Sequence, residues 1–118
     1  MSAMEPIETH DFPLTHEAIE DWQRVEQADT TTGFAELGTI GGVDYGLWEM
    51  SAGTMRDVEG DEVFLVISGL GRIEFDEPAR SPMELRPGSL VRLEGGTKTR
   101  WYIDVGPLRK LFIAEHEE

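Results

Sequence analysis

From Phe34 to Ala114 the apolar residues fall at close to every second position, in short runs closed off by glycine, proline or polar turns. That spacing sends alternate side chains to opposite faces, so the runs read as β-strands. Phe34 to Ile40 alternates weakly, Gly41-Gly42 makes a tight turn, and Val43 to Met50 is a clearer strand carrying Tyr45, Leu47 and Trp48. Glu62 to Ser68 is apolar on both faces, with Glu62, Phe64 and Val66 on one and Val63, Leu65 and Ile67 on the other. It is therefore expected to be a central strand covered from both sides, and the carboxylate at its start is the odd residue. Gly69 to Gly71 is expected to turn the chain into Arg72–Asp76. Ser89–Leu93, Arg100–Val105 and Leu108–Ala114 complete the series. Strand–turn–strand spacing of about ten residues predicts an all-β fold, a single small β-barrel or jelly roll.

The stretch before the barrel is different. Residues 1–14 are polar and hold Pro6 and Pro13, as expected of a loosely held or docked arm. Thr15 is placed to cap a short helix over about His16 to Glu26, where Ile19, Trp22 and Val25 recur three apart. The expected organisation is thus an N-terminal arm over 1–32, the barrel over 33–114 and an acidic tail over 115–118.

Composition narrows the partners. The chain has 118 residues, enough for one domain, and 24 acidic against 10 basic residues give a formal charge of −14. Such a surface repels phosphate backbones and anionic lipid, so neither nucleic acid nor a membrane is expected as a partner. With no cysteine there is no disulfide, thiolate metal site or cysteine nucleophile. The opening MSAMEPIETHDF lacks the basic and apolar regions of a signal peptide, and a cytoplasmic protein is expected. No Gly-x-Ser-x-Gly occurs, and the three histidines, His10, His16 and His116, lie in the tails, so a Ser/His/Asp set is not expected either.

Two glycine-framed stretches carry a resemblance. Gly53, Glu62, six residues and Gly69 form one frame; Gly88, five residues and Glu94-Gly95-Gly96 form another. These frames resemble the paired motifs of the cupin superfamily, with Glu94 where proline is usual. The resemblance is nearer to small cupins related to ureidoglycine aminohydrolase and the ethanolamine-utilisation cupin, through Gly46-Leu47-Trp48-Glu49 before the first frame, Trp101 after the second, and Arg109-Lys110 near the end. It implies a cupin barrel, a homodimer exchanging N-terminal segments and, in metal-binding members, two histidines and a glutamate in the first motif plus a histidine in the second. Of that set only the glutamate is present, as Glu62. The first two histidine positions fall on Met55 and Asp57 or on Arg56 and Val58, and the last falls on Thr99. One or two carboxylates hold a transition metal poorly, so no metal or other cofactor is expected.

Glu62 shares its face with Phe64 and Val66 and should point into the barrel, where loss of water disfavours its charge. Three arrangements would satisfy it: an inward arginine, Arg56 or Arg72; protonation; or a cationic or hydroxylated ligand. Thr99, Trp101 and Ile103 share a face, placing Trp101 beside Glu62, and Trp48 is a further candidate wall. Arg109 and Lys110 read as edge or interface charges. The candidate ligand-binding set is Glu62, Trp101, Thr99, Phe64, Trp48 and Arg56, around a small polar metabolite, anionic to neutral. Two alternatives stay open: an enzyme of the ureidoglycine aminohydrolase-like or ethanolamine-utilisation group, and an interaction module whose barrel is filled by Phe64, Trp101 and Met55.

Overall fold

A computed structural model describes residues 4–26 and 29–116. Its strands are β1 (His16–Ala18), β2 (Thr31–Ile40), β3 (Val43–Met50), β4 (Gly53–Val58), β5 (Glu62–Glu77), β6 (Ala79–Leu85), β7 (Leu90–Leu93) and β8 (Lys98–Glu115), and their pairings are antiparallel. The fold is all-β, the jelly-roll arrangement expected from the alternation.

Two long strands organise it. β5 and β8 pair from Glu62↔Ala114 to Glu77↔Lys98, and the register slips repeatedly between Val66 and Gly71. Gly69 lies there with φ of +93°, opposite the Gly106-Pro107 stretch of β8, where proline has no N–H to give to a ladder. Both strands therefore bend. The first half of β5 and the second half of β8 join β7 on one side and β3, β2 and β1 on the other. The remaining halves join β6 and β4. Folding one half over the other buries Met55, Phe64, Val66, Ile73, Trp101 and Leu108 between them. At about 25 cal/mol per Å² of apolar surface removed from water, this core is the main favourable contribution to the fold.

Three sequence expectations change here. Gly69 to Gly71 is no turn; β5 continues through it. A Cβ on Gly69 would lie 2.5 Å from Leu108 Cα and one on Gly71 2.4 Å from the Tyr102 carbonyl oxygen, so both glycines serve close approach to β8. The helix over 16–26 is also absent. His16–Ala18 pairs with Thr31–Gly33 instead, because the edge of β2 offers unpaired backbone groups. Only a 3-10 turn follows at Asp21–Gln23, where Glu20 N–H donates to Gln23 Oε1 at 3.0 Å. Ile19 is buried but Trp22 is 50% exposed, so the three-residue spacing never formed a buried face. Finally, Glu62–Ser68 is central by pairing, yet its outer face is not covered: Leu65 is 38% and its ladder neighbour Leu90 72% exposed. Of the acidic tail, residues 117–118 lie outside the described residues.

The bend supplies a direct test. Gly69→Val puts a branched side chain at a left-handed φ against backbone atoms of β8, and should lower the unfolding free energy by at least about 2 kcal/mol. A change within about 0.5 kcal/mol in urea unfolding would contradict the bend.

Candidate functional site

Inside the first half of the barrel the chain buries an ammonium ion. Lys110 of β8 stands in register between Trp48 of β3 and Val66 of β5, and it is 5% exposed. Its Nζ donates to Glu62 Oε2 at 2.5 Å and lies 4.2 Å from the ring centre of Phe64, 4.7 Å from that of Trp48 and 4.9 Å from that of Trp101. Taking such a group from water costs several kcal/mol, and here one carboxylate and three ring faces offset it. The rings also support one another, Trp101 lying 5.3 Å from Trp48 and 5.6 Å from Phe64.

A second acidic centre adjoins the first. Glu59, just after β4, is buried, and its Oε2 accepts from Thr99 Oγ1 at 2.7 Å and from Trp101 Nε1 at 2.9 Å. Its backbone is clamped as well: Glu59 N–H donates to the Thr97 carbonyl at 2.9 Å and its own carbonyl accepts from Gly96 N–H at 2.8 Å. Asp57, two residues earlier in β4, lines the same space. Burial, with the Glu59 carboxylate as a further cause, raises its carboxyl from the ordinary 3.8 to about 6, against the opposing pull of the Val58 N–H, Gln23 and Lys110. Together these groups border a cavity of about 230 Å³, walled by Phe34, Trp48, Trp101, Phe112 and Ala114 and presenting Asp57, Glu59, Glu62 and Lys110.

The six sequence candidates fall in three places. Glu62, Trp101 and Trp48 line the cavity. Thr99 and Phe64 stand behind it, the first bonded to Glu59 and the second beneath Lys110. Arg56 turns outward, because in β4 Met55 and Asp57 take the inward phase, and its Nη2 donates to the Arg24 carbonyl at 3.1 Å. The partner of Glu62 is not an arginine: Arg72 pairs with Glu74 at 3.0 Å and lies over Tyr102. Nor are Arg109 and Lys110 edge charges. Both are buried, on opposite faces of β8, and Arg109 donates to Glu49 Oε1 and to the Thr9 carbonyl, each at 2.8 Å.

Sequence reasoning missed Lys110 and Glu59. Lys110 had a signal, since Leu108, Lys110, Phe112 and Ala114 share one strand parity with apolar neighbours on either side. Glu59 sits between strands, where alternation gives no direction.

The donor set does not fit a transition metal of the cupin kind. No group of three or more His, Cys, Asp or Glu suited to a metal occurs among the described residues. The cavity offers carboxylate oxygens with an ammonium among them, and the three histidines bond elsewhere: His10 to Asp11, His16 to Thr31 and Glu49, His116 to Asp44. No helix of the described residues is long and apolar enough to cross a membrane.

Comparison with known proteins agrees with this architecture. The family model described as the EutQ-like cupin domain matches residues 37–112. The Clostridium difficile EutQ protein superposes with a TM-score of 0.64 at 18% identity, over 84% of this chain and 80% of that one. A putative ethanolamine utilization protein Q from Salmonella typhimurium LT2 gives 0.61 at 13%, over 87% and 94%. A putative mannose-6-phosphate isomerase from Ralstonia eutropha JMP134 gives 0.54 at 22%, over 73% and 85%. No curated protein matches the sequence.

Asp57 makes the site's electrostatics measurable. Its proton is held more tightly in the folded chain than in the unfolded one, so the stability it lends is full below about pH 4 and lost as the pH rises through about 6. Asp57→Asn should therefore be more stable than the parent by about 1–3 kcal/mol at about pH 7, with the gap closing near about pH 4. Urea unfolding across that range checks it; a gap independent of pH would contradict the assignment.

Proposed function

This chain belongs to the family of EutQ-like cupin domains, and on that premise we propose that it is a metal-independent cupin that binds a small polar metabolite inside its barrel. One observation carries this reading. The cavity of about 230 Å³ lies where three carboxyl groups, an ammonium and two indole rings converge. A few convergent polar groups set in aromatic walls are the usual form of a small-molecule site. A barrel filled for interaction alone would have no use for such a space. The EutQ structures, at 18% and 13% identity, support the fold and leave the ligand to the chemistry of the cavity itself.

Asp57 favours a second reading, acid–base catalysis. A carboxyl raised to about 6 by burial and by its neighbour Glu59 can both give and take a proton. The open apolar face of β5 and β7, with Leu65 and Leu90, is the surface we assign to the homodimer implied by the family. Cytoplasmic residence is part of the same proposal.

Thermal-shift screening of polar metabolites tests the main reading, with Ala114→Phe as the control because Ala114 borders the cavity. A genuine ligand at a hundredfold its Kd should add about 2.7 kcal/mol to the parent and nothing to the plugged variant. Equal shifts in both would place the ligand elsewhere and contradict the reading.

A further inference from the structure

The charges that border the cavity do not balance, and the imbalance selects a ligand class. Glu62 is answered by Lys110. Among the described residues the Glu59 side chain has only uncharged donors, the Thr99 hydroxyl and the Trp101 indole N–H, both on the same oxygen. Neither it nor Asp57 forms an ion pair among the described residues. Among the described residues the Asp57 carboxyl is bonded by the Val58 N–H and by Gln23, and Lys110 acts on it without forming an ion pair. A buried carboxylate without a countercharge is costly in a space walled by rings.

We propose that the cavity takes a small organic cation, an alkylammonium whose charged head lies between Glu59 and Asp57 and whose carbon body lies against Trp48 and Trp101. The inference rests on the reading that the barrel holds a ligand at all. It reverses the expectation of an anionic-to-neutral metabolite, because Glu59, between strands where alternation gives no direction, adds a buried carboxyl to the cavity.

Three observations support the cation. An anion would meet three carboxyl groups against one ammonium that is already engaged. A neutral polar molecule would leave Glu59 without a countercharge, whereas an ammonium supplies charge and donors together. The aromatic walls already hold an ammonium: Lys110 Nζ lies 4.7 Å and 4.9 Å from the Trp48 and Trp101 ring centres, the range in which ring quadrupoles attract cations. The formal charge of −14 further concentrates small cations around the protein.

Three probes with one branched carbon body separate the possibilities: isopentylammonium, isopentanol and isovalerate, titrated into the full chain by calorimetry near pH 7. The ammonium should bind at least about tenfold more tightly than the alcohol, with no detectable binding of isovalerate. Glu59→Gln, which keeps an acceptor for Thr99 and Trp101 but removes the charge, should bring the ammonium to the level of the alcohol. If the alcohol or isovalerate binds as tightly as the ammonium, or if Glu59→Gln leaves the preference intact, the charge assignment is overturned and the ligand-binding barrel stands. If none of the three binds and the metabolite screen is also silent, both fall.

Discussion

An ammonium ion inside a barrel is tolerable only if a countercharge, acceptors and ring faces meet it from several strands at once, and that requirement ties the architecture together here. Lys110 comes from β8, Glu62 and Phe64 from β5, Trp48 from β3 and Trp101 from the other half of β8. No local segment could supply this set. It exists because β5 and β8 bend at Gly69 and at Gly106-Pro107, folding two halves of one antiparallel ladder face to face. Strand parity then fixes a second charged centre. With Lys110 turned inward, Arg109 must point outward, where Glu49 is held between it and His16, and where the Thr9 carbonyl ties the N-terminal arm to the sheet.

Where metal-binding cupins carry histidines this chain has Met55 and Asp57 or Arg56 and Val58, and Thr99, while its buried cation, Lys110, comes from a separate position in β8. A metal in such a fold acts as a Lewis acid through open coordination positions. A buried ammonium paired with a carboxylate is a fixed charge that orients its surroundings and shapes a cavity. The carboxyl groups of this site differ in setting: Glu59 is held by two side chains and two backbone bonds, and burial raises Asp57 to about 6. Cupin barrels host many functions, and the side chains of this site, rather than the fold, carry the functional argument.

Much of the barrel was legible in the sequence because a period of two is a local property. The inward phase of Glu62, Phe64 and Trp101 and the turn at Gly41-Gly42 needed only neighbouring residues. The meaning of Gly69 did not follow in the same way: a glycine marks an unusual backbone conformation but cannot say whether the chain reverses or merely bends past a neighbour. The helix expected over 16–26 does not form because Ile19, Trp22 and Val25 fit a helix weakly, while His16–Ala18 finds a ladder partner at Thr31–Gly33 on the edge of β2, which periodicity within the segment does not reveal. Arg109 and Lys110 looked like surface charges because buried ones are rare, and their compensation comes from residues about 50 to 100 positions away.

Direct observation of the Lys110 side-chain ammonium by nitrogen-15 NMR probes the central claim most closely. An ammonium enclosed by Glu62 and three ring faces should give a signal protected from solvent exchange, with its ζ protons shifted upfield by the rings of Phe64, Trp48 and Trp101, and absent from Lys110→Met. A rapidly exchanging signal at the position of a free lysine would contradict the buried ion pair, and with it the cavity built around it.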